Sequence, residues 1–247
     1  FPTRRSSDLG TLKEKLQEFE KQIKGITKED DILEKFKALA IDLINNFHIV
    51  CGEKKYCFAE IEFYYYDKDN FNQEWNEKTY PRTEKEAGQL FFHYSGVDVC
   101  FDSKFDDGKF GGILIRSLKD EKGKFITGPS VCSLEILNAC SDSKHNKWPE
   151  IIPIPNEGLS SSMKCEASEF PEKRYGITYK DGKEDKRLCF YDKELYEKYN
   201  NGDNSKEVFE NARWNYEKNN DGEVKGQTNL IRYYHRFNKK TEKGKNK

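Results

Sequence analysis

The chain predicts a single-domain α+β fold, a mostly antiparallel curved β-sheet with N-terminal and flanking helices. Three observations predict it. Apolar residues recur at helical spacing through the first part of the chain, and the period then switches to two over a series of short runs rich in branched and aromatic residues. A Gly-Pro break at 128–129 then introduces one more helical stretch. With 247 residues the chain can bury one generous core.

The elements follow in order. Residues 1–9 (Phe-Pro-Thr-Arg-Arg-Ser-Ser-Asp-Leu) read as a translated sequencing adaptor and are set apart from the domain on that ground. Thr11 and Glu14 have capping-box spacing, and Leu12, Leu16, Phe19 and Ile23 form a stripe, which predicts a helix over 11–24 that Gly25 ends. A second helix over 28–46 carries Ile32, Leu33, Phe36, Leu39, Ala40, Leu43 and Ile44 on one face. Strands are predicted at 47–50, 56–66, 89–94, 97–102 and 112–118, with a long polar segment over 67–87. Ser130 is a capping residue for a helix running through Leu134, Leu137 and Asn138. Residues 141–172 hold four of the seven prolines and read as an extended surface loop. Strands at 174–179 and 187–191, a charged and partly helical stretch over 194–220, and a last strand at 229–237 complete a domain spanning 10–237. The tail 238–247 reads as basic and disordered: from Arg236 onward one Arg and five Lys face a single Glu.

Composition narrows the function classes. Charged residues make up 35% of the chain and aromatics 14%, so the exterior is strongly solvated while Phe and Tyr supply much of the core. No run of eighteen apolar residues exists and no apolar stretch follows the opening arginines, so no membrane partner is expected, the cytoplasm is the default location and a monomer the expected state. The formal charge of −1 lacks the basic excess that duplex-DNA binders usually carry. Seven cysteines (51, 57, 100, 132, 140, 165 and 189) are odd in number and contain no Cys-x-x-Cys pair, which argues against structural zinc and against a disulfide framework. They read as small core hydrophobes. No cofactor and no metal is expected.

The most informative segment is 57–66, Cys-Phe-Ala-Glu-Ile-Glu-Phe-Tyr-Tyr-Tyr. Period-two alternation puts Cys57, Ala59, Ile61, Phe63 and Tyr65 on one face and Phe58, Glu60, Glu62, Tyr64 and Tyr66 on the other. A carboxylate among aromatic rings loses solvation and tends toward a raised pKa, which suits a proton acceptor near neutrality. Further along, Phe91 and His93 share one strand face, Asp98 and Asp102 share another, and Arg116 ends an apolar run where it needs a carboxylate or anionic partner. Glu62, Asp102 and Arg116 therefore read as one charged cluster. A structural ion network has the same sequence signature, and a metal-dependent hydrolase with His93, Asp98, Asp102 and Glu62 as ligands is a further reading.

Seven pieces carry a resemblance. They are Glu60-Ile-Glu62-Phe-Tyr64, Gly88-x-Leu-Phe-Phe-His93, Cys100-Phe-Asp102, Ile113-Leu-Ile-Arg116, Gly128-Pro-Ser-x-x-x-Leu-x-Ile-Leu-Asn138, Arg174-Tyr-Gly-Ile177 and Lys186-Arg-Leu-Cys-Phe-Tyr191. In order and approximate spacing, over about residues 38 to 191, the chain resembles the alkyladenine (3-methyladenine, methylpurine) DNA glycosylases as a divergent member. The resemblance implies hydrolysis of the N-glycosidic bond of a damaged or alkylated purine in double-stranded DNA, with the nucleotide flipped from the helix. It implies Glu62 as the residue that activates water and Arg116 as its catalytic companion. Tyr64, His93, Asp102 and Glu60 fall on the base-binding positions, with Tyr64 and His93 as stacking rings, and Tyr94 (or Ser95) on the intercalating wedge. Two positions depart from the family pattern: Asp102 stands where the family has Asn, and Asn70–Asn76 holds no His where the family has one, leaving Asn72 or Gln73 in its place. The alternative is a catalytically degenerate relative that binds a base, nucleotide or nucleic acid without cleaving it.

Overall fold

A computed structural model of the chain describes residues 11–67, 86–93, 95–101, 109–142, 148–154, 161–168, 172–173 and 188–200. Helix α1 (Leu12–Ile23) opens on the expected capping box, with Thr11 Oγ1 accepting from the Glu14 N–H at 3.2 Å and Glu14 Oε2 accepting from the Thr11 N–H at 2.7 Å. Helix α2 (Glu29–Asn46) runs directly into strand β1 (Phe47–Cys51). Gly52, at φ 63°, then supports a two-residue turn into the long strand β2 (Lys54–Asp67), with Cys51 opposite Lys54 at the hairpin mouth.

The remaining strands are β3 (Leu90–His93), β4 (Gly96–Cys100), β5 (Lys109–Asp120), β6 (Phe125–Thr127), β7 (Glu150–Pro153), β8 (Glu172–Lys173) and β9 (Leu188–Tyr191). All pairings are antiparallel, in the order β3-β4-β5-β2-β1-β7, with β6 added to β5 and with β9, carrying β8, added to β2. Strand β2 is the axis. One of its edges pairs with β5 along its length, while the other is shared by β1 at Lys54–Cys57 and by β9 at Glu60–Phe63.

The face expected to be apolar is the core. Ile61, Phe63 and Tyr65 pack against α1 and α2, where Phe36 stacks on Phe63 at 4.7 Å between centroids, Phe19 meets Phe101 at 5.2 Å, and Phe190 meets Phe63 edge-on at 5.4 Å. Helix α3 (Pro129–Asp142) lies on the opposite side, tied by the Tyr56 hydroxyl donating to Glu135 at 2.6 Å. Its close approach requires Gly96: a Cβ there would stand 2.9 Å from both Leu114 Cδ1 and Pro129 Cβ.

Several expectations need correction. Helix α3 begins at Pro129, one residue ahead of the expected cap, because the fixed φ of proline suits the first helical position. The Ser130 hydroxyl instead points at the Ser95 carbonyl, 3.5 Å away. Strands β6, β7 and β8 were not expected. Pro149 and Pro153 flank Ile151-Ile152 and give the segment a loop composition, yet β7 ends the strand order, where a missing N–H leaves no ladder bond unmade. Helix α4 (Lys193–Asn200) starts where expected, with Asp192 Oδ1 accepting from the Leu195 N–H at 3.2 Å. Residues 1–9, 174–179, 201–220, 229–237 and the tail 238–247 lie outside the described residues. No helix among the described residues is long and apolar enough to cross a membrane.

One buried polar group titrates. His48 on β1 is buried, and its Nδ1 has no hydrogen-bond partner among the described residues. Burial, and then the positive charge of Lys55, lower its pKa below the ordinary 6.5. The unfolded chain therefore binds this proton more readily than the folded one, so the effect is absent above 6.5 and destabilises the fold as pH falls through it. His48→Leu is expected to lose less stability than wild type between about pH 7 and about pH 5 in paired denaturant titrations; parallel losses would show that His48 protonates equally in both states.

Candidate functional site

The polar face of β2 assembles around a local irregularity of the sheet. The β2–β5 register shifts between Phe58 and Glu60 and again between Glu60 and Ile61. In a regular strand the consecutive residues Arg116 and Ser117 would point to opposite faces, but here both reach Glu60, which is the kind of re-aiming a bulge provides. The Arg116 Nε donates to Glu60 Oε1 at 2.6 Å, and the Ser117 hydroxyl donates to Glu60 Oε2 at 2.8 Å. The same guanidinium sends Nη1 to Glu62 Oε2 at 2.8 Å, and the Tyr64 hydroxyl donates to Glu62 Oε1 at 2.7 Å.

These are short, charge-assisted contacts in a dry place. Glu62 is 0% exposed, and Glu60, Tyr64 and Ser117 are buried with it. Burial opposes the charge on Arg116, but the carboxylates of Glu60 and Glu62 outweigh it and raise its pKa well above the ordinary value. The guanidinium stays charged at every working pH. Its planar fork suits two carboxylates at once, which an ammonium cannot match.

Directly opposed residues project to one face, so the register makes a row of Phe91, Asp98, Leu114, Glu62 and Cys189 across β3, β4, β5, β2 and β9. His93 and Tyr64 are on this face but at opposite corners of it. Three strand spacings across the sheet and four residues along the strand direction separate them. Direct hydrogen bonds join Glu60, Glu62, Tyr64 and Arg116, and His93 stands on β3 beside Asp98. Asp102 and Tyr94 lie outside the described residues, as does the stretch Asn70–Asn76.

His93 has its own surroundings. The Ser95 N–H donates to its Nδ1 at 3.2 Å, and its Nε2 sits at ion-pair distance, 3.3 Å, from Asp98 Oδ2, although the alignment falls short of a hydrogen bond. A backbone N–H on Nδ1 assigns the ring proton to Nε2, facing Asp98. Nδ1 is thus occupied, while Nε2 faces the Asp98 carboxylate. The ring stacks on Phe91 at 5.6 Å and 20°, and 10% of the His93 side chain is exposed.

Sequence reasoning missed Ser117, which carries no signal without knowledge of the bulge, and gave Asp98 a metal-ligand role rather than its place beside His93. Among the described residues no group of three or more His, Cys, Asp or Glu is placed to hold a metal. A cavity of about 530 Å³ lies elsewhere, lined by Gly88, Leu90, Trp148, Ile151 and Ile152 among others and by no member of the acid cluster. No family model, no curated protein and no solved structure matches this chain.

Replacing Arg116 with Lys keeps the charge and loses the fork. Arg116→Lys is expected to cost about 1–3 kcal/mol in chemical denaturation, the range for a buried donor or acceptor left unmade. A variant as stable as wild type would show that the double contact contributes nothing.

Proposed function

We propose that this protein binds a base, a nucleotide or a short nucleic acid without cleaving it, using the stacked Phe91–His93 ring pair as a platform for the base. One observation carries the reading: Glu62, the residue that would have to activate water, is 0% exposed and accepts from both Arg116 and the Tyr64 hydroxyl. A carboxylate held that way is a structural anchor. Water has to reach a general base before it can lose a proton to it, and this carboxylate is shut off from solvent.

Stacking supports the binding part. Every base has a π-face, and a base on an aromatic side chain contributes about 1–3 kcal/mol with little demand on sequence. With His93 Nδ1 accepting from Ser95 and Nε2 facing Asp98, the pair offers ring surface in place of acid–base chemistry. The formal charge of −1 suits a ligand with few phosphates better than a long duplex.

A second reading keeps the hydrolysis that the methylpurine-glycosylase resemblance implies, and a different observation favours it. Arg116 and the Tyr64 hydroxyl hold the Glu62 carboxylate in place, and a fixed carboxylate can both orient water and stabilise positive charge developing on a sugar. Excision of hypoxanthine or 1,N6-ethenoadenine from duplex DNA separates the two. The binding reading predicts no abasic sites and a fluorescence-detected affinity for a short oligonucleotide that Phe91→Ala weakens by roughly 5- to 150-fold. Abasic product that falls by about 10² or more in Glu62→Gln would establish the hydrolytic reading instead. Unchanged affinity in Phe91→Ala would remove the platform.

A further inference from the structure

The cysteines, read from sequence as unpaired core filler, are arranged in part as pairs. All seven are buried thiols. Two contacts join elements far apart in the chain. On the α3 side of the β1–β2 hairpin, the Cys51 thiol at the hairpin mouth lies beside the Cys140 thiol in the last turns of α3. Neighbouring contacts fix the same juxtaposition: Tyr56 and Lys54, on the facing strand of the hairpin, both reach Glu135 of α3, at 2.6 Å and 3.4 Å. On the other side of the hairpin, the Cys57 thiol lies beside that of Cys165. Here too the backbone is held in place. Cys57 stands opposite Lys119 on β5, and the Lys119 ammonium donates to the carbonyl of Lys164, the residue before Cys165, at 3.1 Å. Two residues further on, the Ala167 N–H donates to Asn45 Oδ1 at 2.7 Å.

We propose that Cys51–Cys140 and Cys57–Cys165 are two disulfide-forming pairs that staple α3 and the 164–168 segment to opposite faces of one hairpin. Neighbouring thiols, carried by backbone that other bonds already hold, need little rearrangement to join. The co-reactant is a low-molecular-weight disulfide. One protein thiolate attacks a sulfur of that disulfide and expels a small thiolate. The partner thiolate then displaces the second small thiolate, so two protein thiols and one small disulfide become one protein disulfide and two small thiols. The remaining thiols, Cys100, Cys132 and Cys189, stay reduced. Cys132 donates weakly to the carbonyls of Arg116 and Ile126, at 3.4 and 3.3 Å, which gives it a packing role.

The full chain, refolded from denaturant in a mixture of reduced and oxidised glutathione and then alkylated, tests this by peptide mapping without reduction. The expected result is four protected cysteines, in the linkages 51–140 and 57–165, with three alkylated. Dithiothreitol should restore seven alkylatable thiols and lower the apparent Tm by roughly 10 °C or more, since each link closes a long loop. Cys51→Ser should abolish the first linkage and leave the second. Because that variant replaces a buried thiol, Cys140→Ala is the companion, and it should give the same map. Links that join Cys100, Cys132 or Cys189, or a folded protein that retains seven thiols after refolding, would overturn the proposal.

Discussion

Arg116 shared between Glu60 and Glu62 is the constraint on which the rest of the sheet depends. An ionised carboxylate taken out of water is stable only with a close opposite charge and hydrogen bonds to its remaining lone pairs. Two such carboxylates on one strand face, two residues apart, leave the neighbouring strand little choice of register. Strand β5 meets the requirement by a local irregularity, which turns Arg116 and Ser117 together toward Glu60 and lets the guanidinium reach Glu62 as well. Shifting β5 by one residue would strand three charged groups in the core. The ladder on either side of the irregularity, Tyr56 to Phe58 and Ile61 to Asp67, is then fixed by what happens at its centre.

That constraint also sets what the face can do. The order of motifs along the chain resembles that of a base-excision enzyme, but order in sequence does not guarantee convergence in space. The acid cluster is joined by direct hydrogen bonds across β2 and β5, whereas the rings of Phe91 and His93 stack on each other on β3, two strands from β5. The open cavity near Trp148 takes in no member of the acid cluster.

Much of the fold was legible because its signals are local. The capping box of Thr11 and Glu14, the stripe of α2 and the alternation of β2 each report a period that the backbone itself imposes. Strand β7 was hidden because its prolines signal a loop, and only its place at the end of the strand order makes them harmless. The partnership of Arg116 with Glu62 was legible, since a buried arginine in an apolar run demands a carboxylate. What was not legible was how it reaches Glu60 too, for that depends on a register shift. Likewise nothing in the spacing of Cys51 and Cys140, or of Cys57 and Cys165, marks them as neighbours, because the contacts close loops longer than any local pattern spans. The distance between Tyr64 and His93 is of the same kind: alternation gives a face, and only strand order gives the position on it.

The central claim is that Arg116 and the two glutamates act as one unit. A double-mutant cycle of Arg116→Met and Glu62→Gln, read by urea denaturation, tests it most directly. The account predicts that each single change is costly, that the second change costs much less once the first is made, and that the coupling reaches about 2–3 kcal/mol, the upper range for contacting residues. Costs that add to within about 0.5 kcal/mol would show that the two side chains are energetically independent and would contradict it.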